Sequence, residues 1–266
     1  MNTQPIGIFD SGIGGLTVAK AISKILPNEQ IIYFGDTANL PYGDKSPKLI
    51  HSYVQNISEF LLTQQNCKSI VIACNTASAT SYNFLRDKHK GSVPIINVID
   101  PIIEAIVKDD TLKTVGLIAT KTTVESGVYQ EKMERRNSNI KIKVLATPLL
   151  APMIEEGFSH DKISKTVIEN YLNHPNLQNI DALILGCTHY VLIKDEIDSF
   201  YNGKVRLFDS TDLLALKLKR ILEKENLISN QKIKDDLFFV SDLTPSFITS
   251  AKRFYGQNID LKLISI

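Results

Sequence analysis

Two cysteines stand in matching settings in the two halves of a 266-residue chain. Cys74 lies in Val71-Ile72-Ala73-Cys74-Asn75-Thr76-Ala77-Ser78, and Cys187 in Leu183-Ile184-Leu185-Gly186-Cys187-Thr188-His189-Tyr190. Each follows a short run of strand-type residues and precedes small hydroxyl or amide residues. A thiol at a strand end, beside a helix N-terminus, sits where its pKa can be lowered. One such thiol suggests a nucleophile. Two, one per half, suggest paired proton-transfer groups facing each other across a cleft. A lone cysteine in such a place is more often a core residue. Cys67, between Asn66 and Lys68, has no counterpart and reads as structural. His189 could relay protons or tune the Cys187 thiol, and it equally suits a hydrogen-bonding place at a helix start. Metal is disfavoured, because there is no CxxC pair and no second nearby His. A regulatory Cys74–Cys187 disulfide is the lesser alternative.

Other candidates also sit at strand ends. Asp10-Ser11-Gly12-Ile13-Gly14-Gly15 follows the first strand and opens a helix. Its backbone N–H groups suit an anion, but G-x-G-x-x-G fails at Thr17 and no Gly-Lys-Ser/Thr is present. Gly14 and Gly15 therefore read as packing glycines. Asp10 and Ser11 read as ligand groups, because open α/β sheets bind at the carboxyl ends of strands. The turn-rich segment 35–43, with Pro41-Tyr42-Gly43, reads as a ligand loop or an ordinary connection; its own residues favour the connection. Segment 148–157 brings Glu155 and Glu156 after a strand. A site carboxylate and a solvated helix end remain equally open there.

The bulk numbers narrow the class. The length allows one large or two modest domains, and a 43% hydrophobic share is ordinary for a globular protein. A formal charge of +1 gives no electrostatic reason to expect nucleic acid or an anionic membrane. The start of the chain has no basic n-region and no long apolar segment, so a signal peptide is not expected. No stretch is long and apolar enough to span a bilayer. Three cysteines fit a reducing cytoplasm better than a disulfide framework.

The elements that must hold these residues alternate short apolar runs with longer amphipathic ones, an α/β pattern. Strands are expected at 6–9, 31–34, 69–73, 95–98, 114–119, 142–146, 182–185 and 205–208. Most are continuous and β-branched, as in strands covered on both faces. Helices are expected at 16–26, 47–65, 77–89, 122–136, 162–173 and 213–224. Ile6-Gly7-Ile8-Phe9-Asp10-Ser11 resembles Val115-Gly116-Leu117-Ile118-Ala119-Thr120, and a cysteine segment lies a similar distance beyond each. The reading is two pseudo-symmetric doubly wound lobes, with mainly parallel sheets and the active site in the cleft between them. The chain is expected to change lobes near Asp100-Pro101 and Asp209-Ser210. Residues 1–99 plus 210–266 then form the lobe carrying Cys74, and 100–209 the lobe carrying Cys187. Segments 236–240 and 245–255 would rejoin the first lobe.

Together, GIFDSGIGGLTV (7–18), YFGDTANLPYG (33–43), VIACNTASA (71–79), VIDP (98–101), VGLIATKTTVES (115–126) and LILGCTHY (183–190) resemble the glutamate racemases. These belong to the cofactor-independent aspartate/glutamate racemases. The matches span most of the chain in the family's order, and the first, third and last are specific. The DSGIGGLTV opening favours glutamate over aspartate. Val191 departs from the usual Pro, and Asn39 stands where a basic residue is common; neither is a proton-transfer group. The short start lacks the extension of members activated by a cell-wall precursor, so such activation is not expected.

The resemblance implies a two-base reaction without pyridoxal phosphate, other cofactor or metal. One cysteine, as thiolate, removes the α-proton of glutamate; the other, as thiol, delivers a proton to the opposite face. By resemblance Cys74 deprotonates D-glutamate with help from Asp10. Cys187 deprotonates L-glutamate with help from His189, and Glu155 joins that network. Ser11, Asn75, Thr76 and Thr188 would hold the substrate's carboxylate and ammonium groups. Pro41, Tyr42, Gly43 and Thr120 would line the same pocket. The resemblance further implies a small-molecule substrate, a homodimer, and supply of D-glutamate for peptidoglycan precursors. The rivals are a racemase for another acidic amino acid, such as aspartate, and a non-catalytic protein that binds acidic amino acids. Pure binding would need neither thiol.

Overall fold

The computed structural model describes residues 3–158 and 161–266. Its first half runs β1 (Ile6–Asp10), α1 (Leu16–Ile25), β2 (Ile31–Gly35), α2 (Pro47–Glu59), β3 (Ser69–Ile72), α3 (Asn75–Lys88), β4 (Ile95–Asn97) and α4 (Ile99–Ile106). Then come β5 (Thr114–Ala119), α5 (Lys121–Glu125), α6 (Val128–Arg136), β6 (Lys141–Ala146), α7 (Leu150–Glu155), α8 (Lys162–Leu172), β7 (Ala182–Gly186), α9 (Lys194–Phe200) and β8 (Arg206–Phe208). The chain ends with α10 (Thr211–Lys224), β9 (Leu237–Val240), α11 (Pro245–Phe254) and β10 (Leu261–Leu263). Among the described residues no helix is long and apolar enough to cross a membrane.

The strands form two sheets, ordered β10-β9-β2-β1-β3-β4 and β6-β5-β7-β8, and every pairing is parallel. The block β2-β1-β3-β4 and the block β6-β5-β7-β8 have the same internal order, so the sequence repeat is a repeat of topology. In such an order the chain winds one way from the first strand and the other way from the third. That leaves a crevice at their carboxyl ends. The first sheet's crevice lies beyond β1 and β3, and the second's beyond β5 and β7.

Alternation sorts each strand's side chains. Ile6 and Ile8 of β1 join a core that runs on through Val115, Leu117 and Leu183 of the second sheet. Phe9, from the same strand, joins a separate core with Phe34, Phe60 and Ile72, as a period of two requires. Leu214 and Leu218 of α10 and Ile102 and Ile103 of α4 lie in the shared core. The two sheets are therefore held by common apolar packing rather than a bare linker. Each fully buried aliphatic side chain contributes about 1.5–3 kcal/mol there.

Each of the eight expected strands forms, with ends within two residues of the expectation. The expected helix at 122–136 is two helices, because Gly127 adopts a left-handed φ of 66° between α5 and α6. The expected helix at 47–65 ends in a π turn over Phe60–Gln64. Four further elements, α4, α7, α9 and β10, do not show in the periodicity.

Candidate active site

Strand ends deliver the two thiols. Cys74 follows β3 in extended geometry and is itself the N-cap of α3, its Sγ accepting from the Ala77 N–H at 3.4 Å. Its Sγ and the Ser11 Oγ are 3.7 Å apart. Cys187 follows β7 in the equivalent place and starts a 3-10 helix over Thr188–Ile193. Both cysteines line one cavity of about 80 Å³.

The expected site residues Asp10, Ser11, Pro41, Tyr42, Gly43, Cys74, Asn75, Thr76, Thr120, Glu155, Cys187, Thr188 and His189 all line that cavity, whereas Glu156, the other carboxylate of its segment, does not. Glu155, left open by its neighbours in sequence, puts Oε1 2.7 Å from His189 Nε2. His189 Nδ1 lies 3.5 Å from Cys187 Sγ. Imidazole thus links the Glu155 carboxylate to the sulfur in one line. Tyr42 donates to Asp36 Oδ2 at 2.6 Å, and Asp36 also accepts from Asn39 and Ser241. The loop bearing Pro41 to Gly43 is thereby fixed rather than a loose connection. Across the mouth, Thr122 Oγ1 donates to the Gly43 carbonyl at 2.6 Å. The hydroxyls of Thr76, Thr120 and Thr123 lie 2.9–3.3 Å from one another, tying α3 to α5.

The expected packing role of two glycines has a physical basis. A Cβ on Gly14 would lie 2.3 Å from Thr188 Oγ1 and 2.6 Å from His189 Nδ1. One on Gly15 would lie 2.5 Å from Asp10 Cβ. Cys67 does not line the cavity. It is buried beneath Gly7, and burial pushes its thiol up to about 12.

The charges are unequal on the two sides. Burial pushes the Cys74 thiol up to about 12, and the Asp10 carboxylate adds to this; the Ala77 N–H and Ser11 hydroxyl only partly offset it. Burial also raises the Asp10 carboxyl, against the pull of His189 and the N–H groups of Gly15 and Gly12. At His189 burial opposes the charged form, but the Cys187 sulfur and Glu155 outweigh it, and the imidazole is held well above its ordinary range. Two buried acceptors, Asp10 Oδ1 and Asn75 Oδ1, have no hydrogen-bond partner among the described residues. Both belong to residues that line the cavity, and an N–H-bearing ligand would satisfy them, because an unsatisfied buried polar atom costs about 1–3 kcal/mol.

Sequence reasoning missed several residues here. Leu40, Asp44, Lys121, Pro148, Ala151 and Pro152 also line the cavity. Tyr33 donates to the Gly12 carbonyl at 2.9 Å and so braces the Asp10–Gly15 turn. Tyr129 meets Asn75 from the second sheet's side. The partners of both tyrosines are distant in sequence, so no local signal marks them.

Comparison with known proteins gives a consistent set of relatives. The family model described as Asp/Glu/Hydantoin racemase matches residues 13–218. A glutamate racemase of Neisseria meningitidis serogroup A is 38% identical over 265 residues, 99% of this chain and 97% of its own. The crystal structure of glutamate racemase from Francisella tularensis subsp. tularensis SCHU S4, in complex with D-glutamate, superposes with a TM-score of 0.92 at 38% identity. It covers 100% of this chain and 98% of its own. Glutamate racemase from Aquifex pyrophilus gives a TM-score of 0.80 at 39% identity, covering 97% and 98%.

Proposed function

This chain belongs to the Asp/Glu/hydantoin racemase family, and from that premise we propose that it is a glutamate racemase, interconverting L- and D-glutamate. The observation that carries the reading is a thiol at the same topological position in each half, both lining one cavity. Inversion at a carbon needs an acid and a base on opposite faces. Two pseudo-symmetric halves supply one each.

In the L-to-D direction, Cys187 as thiolate takes the α-proton. The electron pair stays on the substrate, and the Cys74 thiol gives its proton to the opposite face. The site's charges suit this direction. Cys74 holds its proton tightly because it is buried, and the His189 imidazolium supplies positive charge beside the Cys187 sulfur. The D-to-L direction exchanges the roles, with Asp10 the polar partner of Cys74. Asp10 Oδ1 and Asn75 Oδ1 accept from the substrate ammonium. The hydroxyls of Ser11, Thr76, Thr120 and Thr188, with the N-terminus of α3, hold its carboxylates. Donors fixed before the reaction stabilise the carbanion-like transition state without reorganisation. Tyr42 and Gly43 line the side-chain end of the pocket. The reading extends to a cytoplasmic homodimer that supplies D-glutamate for peptidoglycan precursors.

Cys74→Ser and Cys187→Ser test it, because a serine hydroxyl is far too weak an acid to serve as the base. Each should lower glutamate racemisation by about 10³-fold or more while circular dichroism shows an intact fold. Near-normal turnover in either variant would refute the two-thiol mechanism. Turnover of aspartate in place of glutamate by the unsubstituted chain would move the substrate assignment.

A further inference from the structure

Tyr129 is fully buried and sits near the start of α6, two residues after the left-handed Gly127. Its phenol oxygen accepts from Asn75 Nδ2 at 2.8 Å, between residues 54 positions apart. Asn75 opens α3, is 3% exposed and lines the cavity with Cys74. Its Oδ1 is buried and has no partner among the described residues. An amide has two chemically different ends, a donor NH₂ and an acceptor oxygen. A phenol hydroxyl can serve either end, and in this structure Tyr129 holds the NH₂ end. With the NH₂ end taken by Tyr129, the cavity receives the oxygen. An oxygen recognises N–H donors, and the ammonium is the donor that glutamate offers at neutral pH.

We infer that Tyr129 is a positioning residue, which acts through Asn75 by holding its amide so that Oδ1 accepts from the substrate ammonium. The inference rests on the reading of the site as one for an amino acid. Tyr129 does not itself line the cavity, so its effect passes through that one hydrogen bond. It reaches from one half of the molecule to the other, so correct seating of the two halves also sets the amide. Burial holds the phenol far above its ordinary range, and it stays a neutral hydrogen-bonding group through any working pH.

The experiment is a double-mutant cycle of Tyr129→Phe and Asn75→Ala, with kcat and KM measured from both enantiomers and thermal melts run on each variant. Tyr129→Phe should lower kcat/KM about tenfold, chiefly through KM, because a buried polar group loses its fixed partner. In the Asn75→Ala background the same change should do almost nothing, since there is no amide left to hold. Fluorotyrosine incorporated at position 129 keeps the ring and the phenol oxygen but makes that oxygen a weaker acceptor; it should give a loss between wild type and Tyr129→Phe, and it decides the matter if Tyr129→Phe fails to fold. Losses that multiply in the double variant, or an unchanged kcat/KM in Tyr129→Phe, overturn the inference while wild-type turnover keeps the function standing. Failure of the wild-type chain to racemise glutamate overturns both.

Discussion

At the residue scale, the role proposed for Asp10 works against stability. Its carboxyl is buried, with one oxygen held by the Gly12 N–H at 3.0 Å and the other without a partner among the described residues. Burial raises its pKa, so the folded chain binds that proton more tightly than the unfolded chain. Stability from this group is fully present below the ordinary carboxyl range and is lost as pH rises through the raised folded value. Asp10→Asn removes the buried charge and keeps an acceptor for Gly12. It should raise the melting temperature at neutral pH while lowering turnover by about 10²-fold; a lower melting point or undiminished turnover would contradict this account. Residues of this kind are legible where local context is unusual. Cys74 and Cys187 stand out because each closes a strand-type run before small polar residues. Nothing local separates Glu155 from Glu156, and the His189 ring that defines its surroundings is 34 residues away. Tyr129 looks like any tyrosine in a helical stretch, because its partner comes from another element.

At the element scale, strand ends and helix starts place the chemistry, and glycines let those ends approach. Gly14 lies in the turn between β1 and α1, against Thr188 and His189 from the turn after β7. Gly14→Ala would drive a methyl group into both side chains. It should push the His189 ring away from the Cys187 sulfur and lower turnover by roughly 10²-fold, as a displacement of about 1 Å can. Steady-state kinetics and a thermal melt would check this. Unchanged turnover would mean the turn can yield without moving His189. The strands are readable because they are buried on both faces: β1, β2 and β7 are buried at every position. Three-residue β10 interrupts its leucines with Lys262 and is mostly exposed, so it carries no such run. The short helices α7 and α9 hold too few turns to show a period. The break at Gly127 is hidden because the apolar spacing continues across it.

At the scale of the whole molecule, the repeat explains why one chain can act on both faces of a carbon. Two blocks of equal strand order face their crevices toward one cavity, and a common core holds them in place. The last part of the chain is pinned separately. Lys68 and Glu29 form a buried ion pair at 2.5 Å, and Ser229, ahead of β9, bonds to both. Lys68→Ala leaves the Glu29 charge buried without its partner and should destabilise the fold by about 3–5 kcal/mol. A urea melt would measure this; a change near zero would show that the segment is held by other interactions. The central claim, that two separate thiols serve opposite faces, is tested most directly by running L-glutamate in deuterium oxide and separating the enantiomers early in the reaction. The account predicts that the D-glutamate formed carries deuterium at its α-carbon, because the Cys74 thiol has exchanged with solvent, while the remaining L-glutamate keeps its proton. Deuterium appearing in the unreacted L-glutamate, or the original proton returned in the D-product, would mean that a single base works on both faces and would contradict it.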